Sequence, residues 1–160
     1  MIIRKAELKD VEEIVKLHIT TWKISYRGYI PDEILDSEWL NFSQKRVDKM
    51  SIPIQKGLFF VLEEEGNILG FIGLDDLPKT KTEIKVFYVL PQKQRAGIGT
   101  QLFDYVKIYL KEQGCQEINL FTLENYPPSN LFYQKNGGRL TGEVQDLKWG
   151  SKALEYLFRL

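Results

Sequence analysis

Hydrophobic and polar positions run along the chain in two periods. "MIIRKAE" reads as a short opening strand. After Asp10, a candidate N-cap, Val11, Ile14, Val15, His18 and Trp22 keep the three- and four-residue spacing of one helix face. Leu35, Trp39, Phe42 and Val47 mark a second, weaker helical stretch between Pro31 and Met50. Leu58 to Glu63 and Ile68 to Leu74 read as a hairpin around a turn at Gly66-Asn67. "EIKVFYVLP" is a further strand, stopped by Pro91, which has no N–H for a ladder. Ile98, Leu102, Val106 and Leu110 then recur every four residues in a helix that Gly114 closes. "EINLFTL" is a strand, and "PPSNLFYQKNGG" a short helix with Ser129 near its start and glycines at its end. "RLTGEV" and "ALEYLFRL" finish the chain as two strands around a turn at Trp149-Gly150.

The predicted order is strand, two helices, three strands, helix, strand, helix, two strands. Such an order belongs to a mixed sheet with helices on its faces, an α/β (α+β) architecture, not an even strand–helix alternation. No repeat, low-complexity tract or long linker divides it, so residues 1–160 read as a single domain.

Composition narrows the function. The 22 Lys+Arg balance the 22 Asp+Glu, so no overall field favours nucleic acid or an anionic membrane as partner. The apolar runs fall far short of the roughly 20 residues that span a bilayer. The N-terminus is charged almost at once and lacks the apolar core of a secretion signal. Cys115 is the only cysteine, which excludes an intrachain disulfide and suggests a reducing, cytoplasmic setting. With one histidine, His18, beside that one cysteine, no zinc site is expected, and no metal.

The chemistry concentrates in "QKQRAGIGTQLF", Gln92 to Phe103, between a strand and a helix start. A helix start leaves backbone N–H groups unpaired and carries partial positive charge. Gly97 and Gly99 let a ligand approach that backbone, and Arg95 adds a full charge. The combination suits a phosphate. Gly99 is followed by Thr100-Gln101, where a Walker loop needs Lys-Ser/Thr, and Leu102 stands where a dinucleotide loop needs its third glycine. An ordinary glycine-rich turn is the alternative without function.

Gln94-Arg95-Ala96-Gly97-Ile98-Gly99, directly after a strand ending Tyr88-Val89-Leu90-Pro91, resembles the coenzyme-binding loop of the GNAT superfamily of acetyl-coenzyme A-dependent N-acetyltransferases. Phe132-Tyr133-Gln134-Lys135-Asn136-Gly137-Gly138 resembles a second family segment. Trp22, Tyr26, Gly28 and Pro31 match a Trp-x-x-x-Tyr-x-Gly-x-x-Pro pattern of one bacterial-type branch. The resemblance spans nearly the whole chain. It implies the GNAT acyl-CoA N-acyltransferase fold, a central mixed sheet of about seven strands flanked by about four helices.

The resemblance also implies roles. Residues 94–100 (Gln94, Arg95, Ala96, Gly97, Ile98, Gly99 and Thr100) would hold the pyrophosphate of acetyl-CoA, with Asn125 and Ser129 as further contacts. The Val89 N–H would face the thioester oxygen. Tyr133 would be the general acid for the departing thiolate, a thiol having a pKa of about 8.5 and a phenol about 10; alternatively it only packs against the sheet. Glu83, six residues before Val89 and on the same strand face by parity, stands where family members carry a base. A solvated Glu beside Lys81 and Lys85 is its alternative. Trp22 and Tyr26, four apart, could line a slot for the acceptor or belong to the core. His18 packs with the helix in this reading.

No Ser-His or Cys-His pair stands out, which favours direct attack by the amine over an acyl-enzyme. The acceptor stays open: a small amine, a polyamine, an amino-sugar or a peptide amine. The carboxylate runs Glu63-Glu64-Glu65 and Asp75-Asp76 could attract a polyamine or basic peptide, or simply be solvated. Two other functions compete, a non-catalytic acetyl-CoA-binding sensor or partner module, and a nucleotide-binding enzyme. The exposed edge of the last hairpin is a place where a homodimer could form.

Overall fold

The computed structural model describes residues 1–160. Strand β1 (Ile2–Lys5) precedes α1 (Val11–Ser25), the short α2 (Asp32–Leu35) and α3 (Gln44–Gln55). Then come β2 (Phe59–Glu64), β3 (Asn67–Leu74), β4 (Lys81–Val89), α4 (Ile98–Glu112) and β5 (Glu117–Leu123). The chain ends with α5 (Pro127–Lys135), β6 (Arg139–Asp146) and β7 (Lys152–Arg159). All seven strands form one mixed sheet in the order β1-β2-β3-β4-β5-β7-β6.

The sheet carries α1 and α4 on opposite faces. Alternation along β3 decides this: Phe71 meets His18 of α1, while its neighbour Ile72 is paired with Phe60, whose ring lies 4.8 Å from Tyr109 of α4. The helical period read from Ile98, Leu102, Val106 and Leu110 is the buried face of α4.

Three local expectations change. Asp10 takes the N-cap position of α1, but its side chain caps none of that helix's amides. It ends a 3-10 turn, where its carboxylate accepts the Glu7 N–H at 2.7 Å and the Arg4 guanidinium at 2.7 and 3.0 Å. That guanidinium holds the Asp10 carboxyl below its ordinary range. The weak helical stretch between Pro31 and Met50 is not one helix. Its points Leu35, Trp39 and Val47 fall in α2, a 3-10 turn and α3, which Ser43 caps and which runs on past Pro53. There are thus five helices, in keeping with the expected count of about four. The β2–β3 turn centres on Glu65 and Gly66, both at positive φ, one residue before the expected place.

One irregularity shapes everything downstream. Strands β4 and β5 pair in parallel from Lys81↔Glu117 to Ile84↔Leu120 and no further. Past that point β4 stays with β3 as far as Val89, and β5 stays with β7 as far as Leu123. The parting coincides with a bulge: Gly73 faces Val86 and Leu74 faces Ile84, leaving Lys85 without a partner on β3. A bulge bends and twists its strand, here where β4 leaves β5. The two strands open a wedge in the middle of the sheet.

Candidate active site

The wedge exposes backbone. Leu90 N–H donates to Leu69 O at 2.8 Å, so on an alternating strand the N–H groups of Phe87 and Val89 point away from β3, into the opening. Beyond Pro91–Lys93, a 3-10 turn, the Gln94 amide donates to Val89 O at 3.1 Å and to Ser25 Oγ at 3.3 Å. That brace ties the loop to the ends of β4 and α1. Arg95 and Gly97 then take positive φ, 63° and 78°, and α4 begins at Ile98. Glycine accepts this conformation freely; arginine does so at a cost of about 1–2 kcal/mol.

The consequence is a row of backbone N–H groups from Arg95 to Thr100, none of which donates to any acceptor in the chain. They lie at the positive end of a 15-residue helix. Such a row with an arginine in it has the geometry and charge to hold a di-anion of phosphate type.

These amides border a cleft of about 750 Å³, lined among others by Val89, Gln94, Arg95, Gly97, Gly99, Thr100 and Ser129. Of the loop residues singled out in the sequence, Ala96 and Ile98 do not line it with side chains. Ile98 is a core residue and offers only its amide. Asn125 lies outside as well, its side chain donating to Tyr29 O at 3.3 Å. The asparagine that organises this turn is Asn130. It donates to Leu123 O at 3.0 Å and Tyr126 O at 2.9 Å, and accepts from the Tyr156 hydroxyl at 2.9 Å. Tyr29 and Tyr126, whose rings meet edge to face at 5.0 Å, form part of the wall and were not singled out.

A second, smaller cavity of about 270 Å³ lies on the other side of β4 and β5. Trp22 and Tyr26 both line it, with Tyr88, Leu147 and Trp149. Trp22 donates its indole N–H to the Tyr88 hydroxyl at 2.9 Å. Trp149, from the β6–β7 turn, stands edge to face with Trp22 at 6.0 Å. Nothing in the periodicity of "DLKWGSK" hints that its tryptophan reaches back to α1; only pairing of the last hairpin beside β5 brings it there.

The two cavities share Phe87, Ser129 and Tyr133. Tyr133 is buried among Phe132, Tyr156 and Phe158, so the packing role and the place at the cavity junction hold together. Burial, and then Tyr88, push its phenol further above the ordinary value. It stays protonated at neutral pH and is available as a donor.

Glu83 is placed differently from the expectation. The bulge at Lys85 breaks the alternation that would set Glu83 and Val89 on one face. Glu83 lines neither cavity. Its carboxylate is 3.0 Å from the Lys85 ammonium, and its N–H donates to Asp75. His18 packs edge to face against Trp22 and Phe71, and burial lowers its pKa to about 4, so it is neutral. No group of three or more His, Cys, Asp or Glu is arranged to hold a metal ion, and no helix is long and apolar enough to cross a membrane.

The family model described as acetyltransferase (GNAT) family matches residues 22–138, from the smaller cavity's Trp22 to the glycines that end α5. The chain belongs to the GNAT acetyltransferase family. It is 29% identical to the uncharacterized N-acetyltransferase YuaI of Bacillus subtilis over 136 residues, 82% of this chain and 76% of that one. It is 26% identical to a spermidine N(1)-acetyltransferase of Thermoplasma acidophilum, over 84% of this chain and 86% of the relative. The crystal structure of the PaiA N-acetyltransferase of Thermoplasma acidophilum in complex with coenzyme A superimposes with a TM-score of 0.80 at 24% identity, covering 98% of each chain. As a GNAT enzyme the chain is an acetyl-CoA-dependent N-acetyltransferase. The unpaired amides, the arginine among them and the adjoining wedge fit that cosubstrate's anionic and extended parts.

Proposed function

We propose that this GNAT enzyme acetylates a primary amine by direct attack across the wedge between β4 and β5. What carries the reading is the meeting of two cavities at Tyr133: one bordered by the amide row, the other by Trp22, Tyr26 and Trp149. Acetyl-CoA supplies an activated acetyl thioester. The amides of residues 95–100 and the Arg95 side chain anchor the diphosphate, with Gln94, Thr100 and Ser129 along the cleft. The Val89 N–H steadies negative charge on the carbonyl oxygen.

The amine nitrogen forms the new C–N bond as the C–S bond breaks. Tyr133 gives its proton, or a hydrogen bond, to the leaving sulfur. An amine of pKa about 10 is almost wholly protonated at neutral pH, so a proton must leave before attack. Glu83 takes it through intervening water, since its carboxylate lies beside the acceptor cavity and not in its wall. The likeness to a spermidine acetyltransferase brings a polyamine forward as one acceptor.

The test is thiol release from acetyl-CoA in the presence of amines, with calorimetry of acetyl-CoA binding alongside. Tyr133→Phe should bind acetyl-CoA as the parent does and lose about 10²–10⁴-fold in kcat. Undiminished turnover by the variant would remove Tyr133 from the reaction.

A further inference from the structure

The acceptor cavity has a composition that selects among amines. None of its 18 lining residues is Asp, Glu or His. Its one charged residue is Lys85, and that ammonium already has Glu83 at 3.0 Å. The remaining wall is dominated by aromatic and aliphatic side chains, with Tyr26 and Trp149 both standing edge to face against Trp22, at 5.3 and 6.0 Å. Tyr26 and Trp149 thus present ring planes that cross that of Trp22, aromatic surfaces on which a flat apolar body can pack.

The carboxylate runs that could have drawn a polycation lie elsewhere. Glu63 is paired with Arg4 at 2.7 Å, and Glu64 and Glu65 lie at the β2–β3 turn. Asp75 receives the Glu83 N–H, and Asp76 is paired with Lys79 at 2.6 Å. None of them lines either cavity.

A second ammonium held against this wall would meet no carboxylate among the lining residues, and Glu83 beside it is already bound to Lys85, which is unfavourable. The same surroundings help a lone amine. An apolar wall disfavours the charged form and raises the fraction of neutral nucleophile. We infer that the preferred acceptor is a monoamine on a flat, apolar body of arylethyl or indolylethyl size, taken ahead of a polyamine. The inference rests on the transferase reading above and narrows its substrate class.

The experiment compares kcat/KM for 2-phenylethylamine and tryptamine with that for spermidine and putrescine. Binding of the same four amines to the coenzyme A-saturated protein is measured by calorimetry, without turnover. The arylalkyl amines should exceed the polyamines at least ten-fold in both measures. Trp149→Ala should raise KM for the arylalkyl amines ten-fold or more with little change in KM for acetyl-CoA, because Trp149 does not line the loop cleft. Trp149→Phe should keep the preference, since it retains a ring and removes only an indole N–H that is buried without an acceptor. Equal or better kcat/KM for spermidine, or no detectable binding of arylalkyl amines, overturns the inference while leaving acetyl transfer intact. Binding of arylalkyl amines with no thiol release from any amine supports the cavity assignment and counts against the transferase reading instead.

Discussion

The backbone N–H of Gly138 donates to the carbonyl oxygen of Tyr133 at 2.9 Å, and a Cβ on Gly138 would stand 2.8 Å from that same oxygen. The glycine that ends α5 thus fixes the backbone of the tyrosine at the junction of the two cavities. It also presses against the Phe158 ring, 2.7 Å from where the Cβ would be, so neither contact can be relieved by a simple side-chain turn. Gly137, next to it, differs in kind: its φ is 89°, with open space around it.

Gly138→Ala should therefore cost about 1–3 kcal/mol through overpacking, and slow turnover by displacing Tyr133. Gly137→Ala should cost about 1–2 kcal/mol through backbone strain alone, with kcat near the parent value. Chemical denaturation and steady-state kinetics on both variants separate the two effects; equal losses of kcat would disprove the distinction.

Arg95 contributes charge from a strained position, φ 63°. Arg95→Ala and Arg95→Gly should both weaken acetyl-CoA binding by about 1.5–3 kcal/mol, the worth of a hydrogen bond to a charged group. Only the glycine variant relieves the strain, so it should be no less stable than the alanine variant. Calorimetry and thermal unfolding of the pair decide it, and unchanged affinity in both would remove Arg95 from the phosphate site.

Glu83 sits beside the cavity lined by Trp22 and Trp149, bound to Lys85. Glu83→Gln should displace the acid limb of the kcat/KM profile and lower the rate by about 10²-fold, the modest end for a general base. A profile superimposable on the parent's would leave water as the acceptor of the proton.

His18 ties stability to acid. Its pKa falls from the ordinary 6.5 to about 4, chiefly through burial and then through the charge of Arg46. Between these values the unfolded chain takes up a proton that the folded chain does not. Stability is accordingly lost as pH falls through this window, by up to about 3 kcal/mol at its lower end. His18→Phe should flatten urea-unfolding stability between pH 6.5 and about 4 relative to the parent. Parallel curves would show that carboxylates, not His18, set the acid limit.

The order of strands and helices was legible from hydrophobic period alone, because a two-residue or near-four-residue repeat records which face of an element is buried. The glycine loop before α4 was legible for a related reason. Positive φ at Gly97 and the unpaired amides that follow are consequences of a glycine and a helix start, interactions that span a few residues. The Tyr133–Gly138 segment belongs to the same class, since its bond closes within one helix end.

Tertiary structure alone decided the rest. Where β4 parts from β5 depends on a bulge that forms only against β3, and that bulge takes Glu83 out of the face that parity assigned to it. Trp149 reaches Trp22 because β7 inserts between β5 and β6, a choice made by burial between strands far apart in the chain. The weak period between Pro31 and Met50 likewise came from three separate elements docking on one core. Local chemistry is written in adjacent residues, whereas the shape of the cavity around Trp22 and Trp149 follows from which distant strands exclude water together.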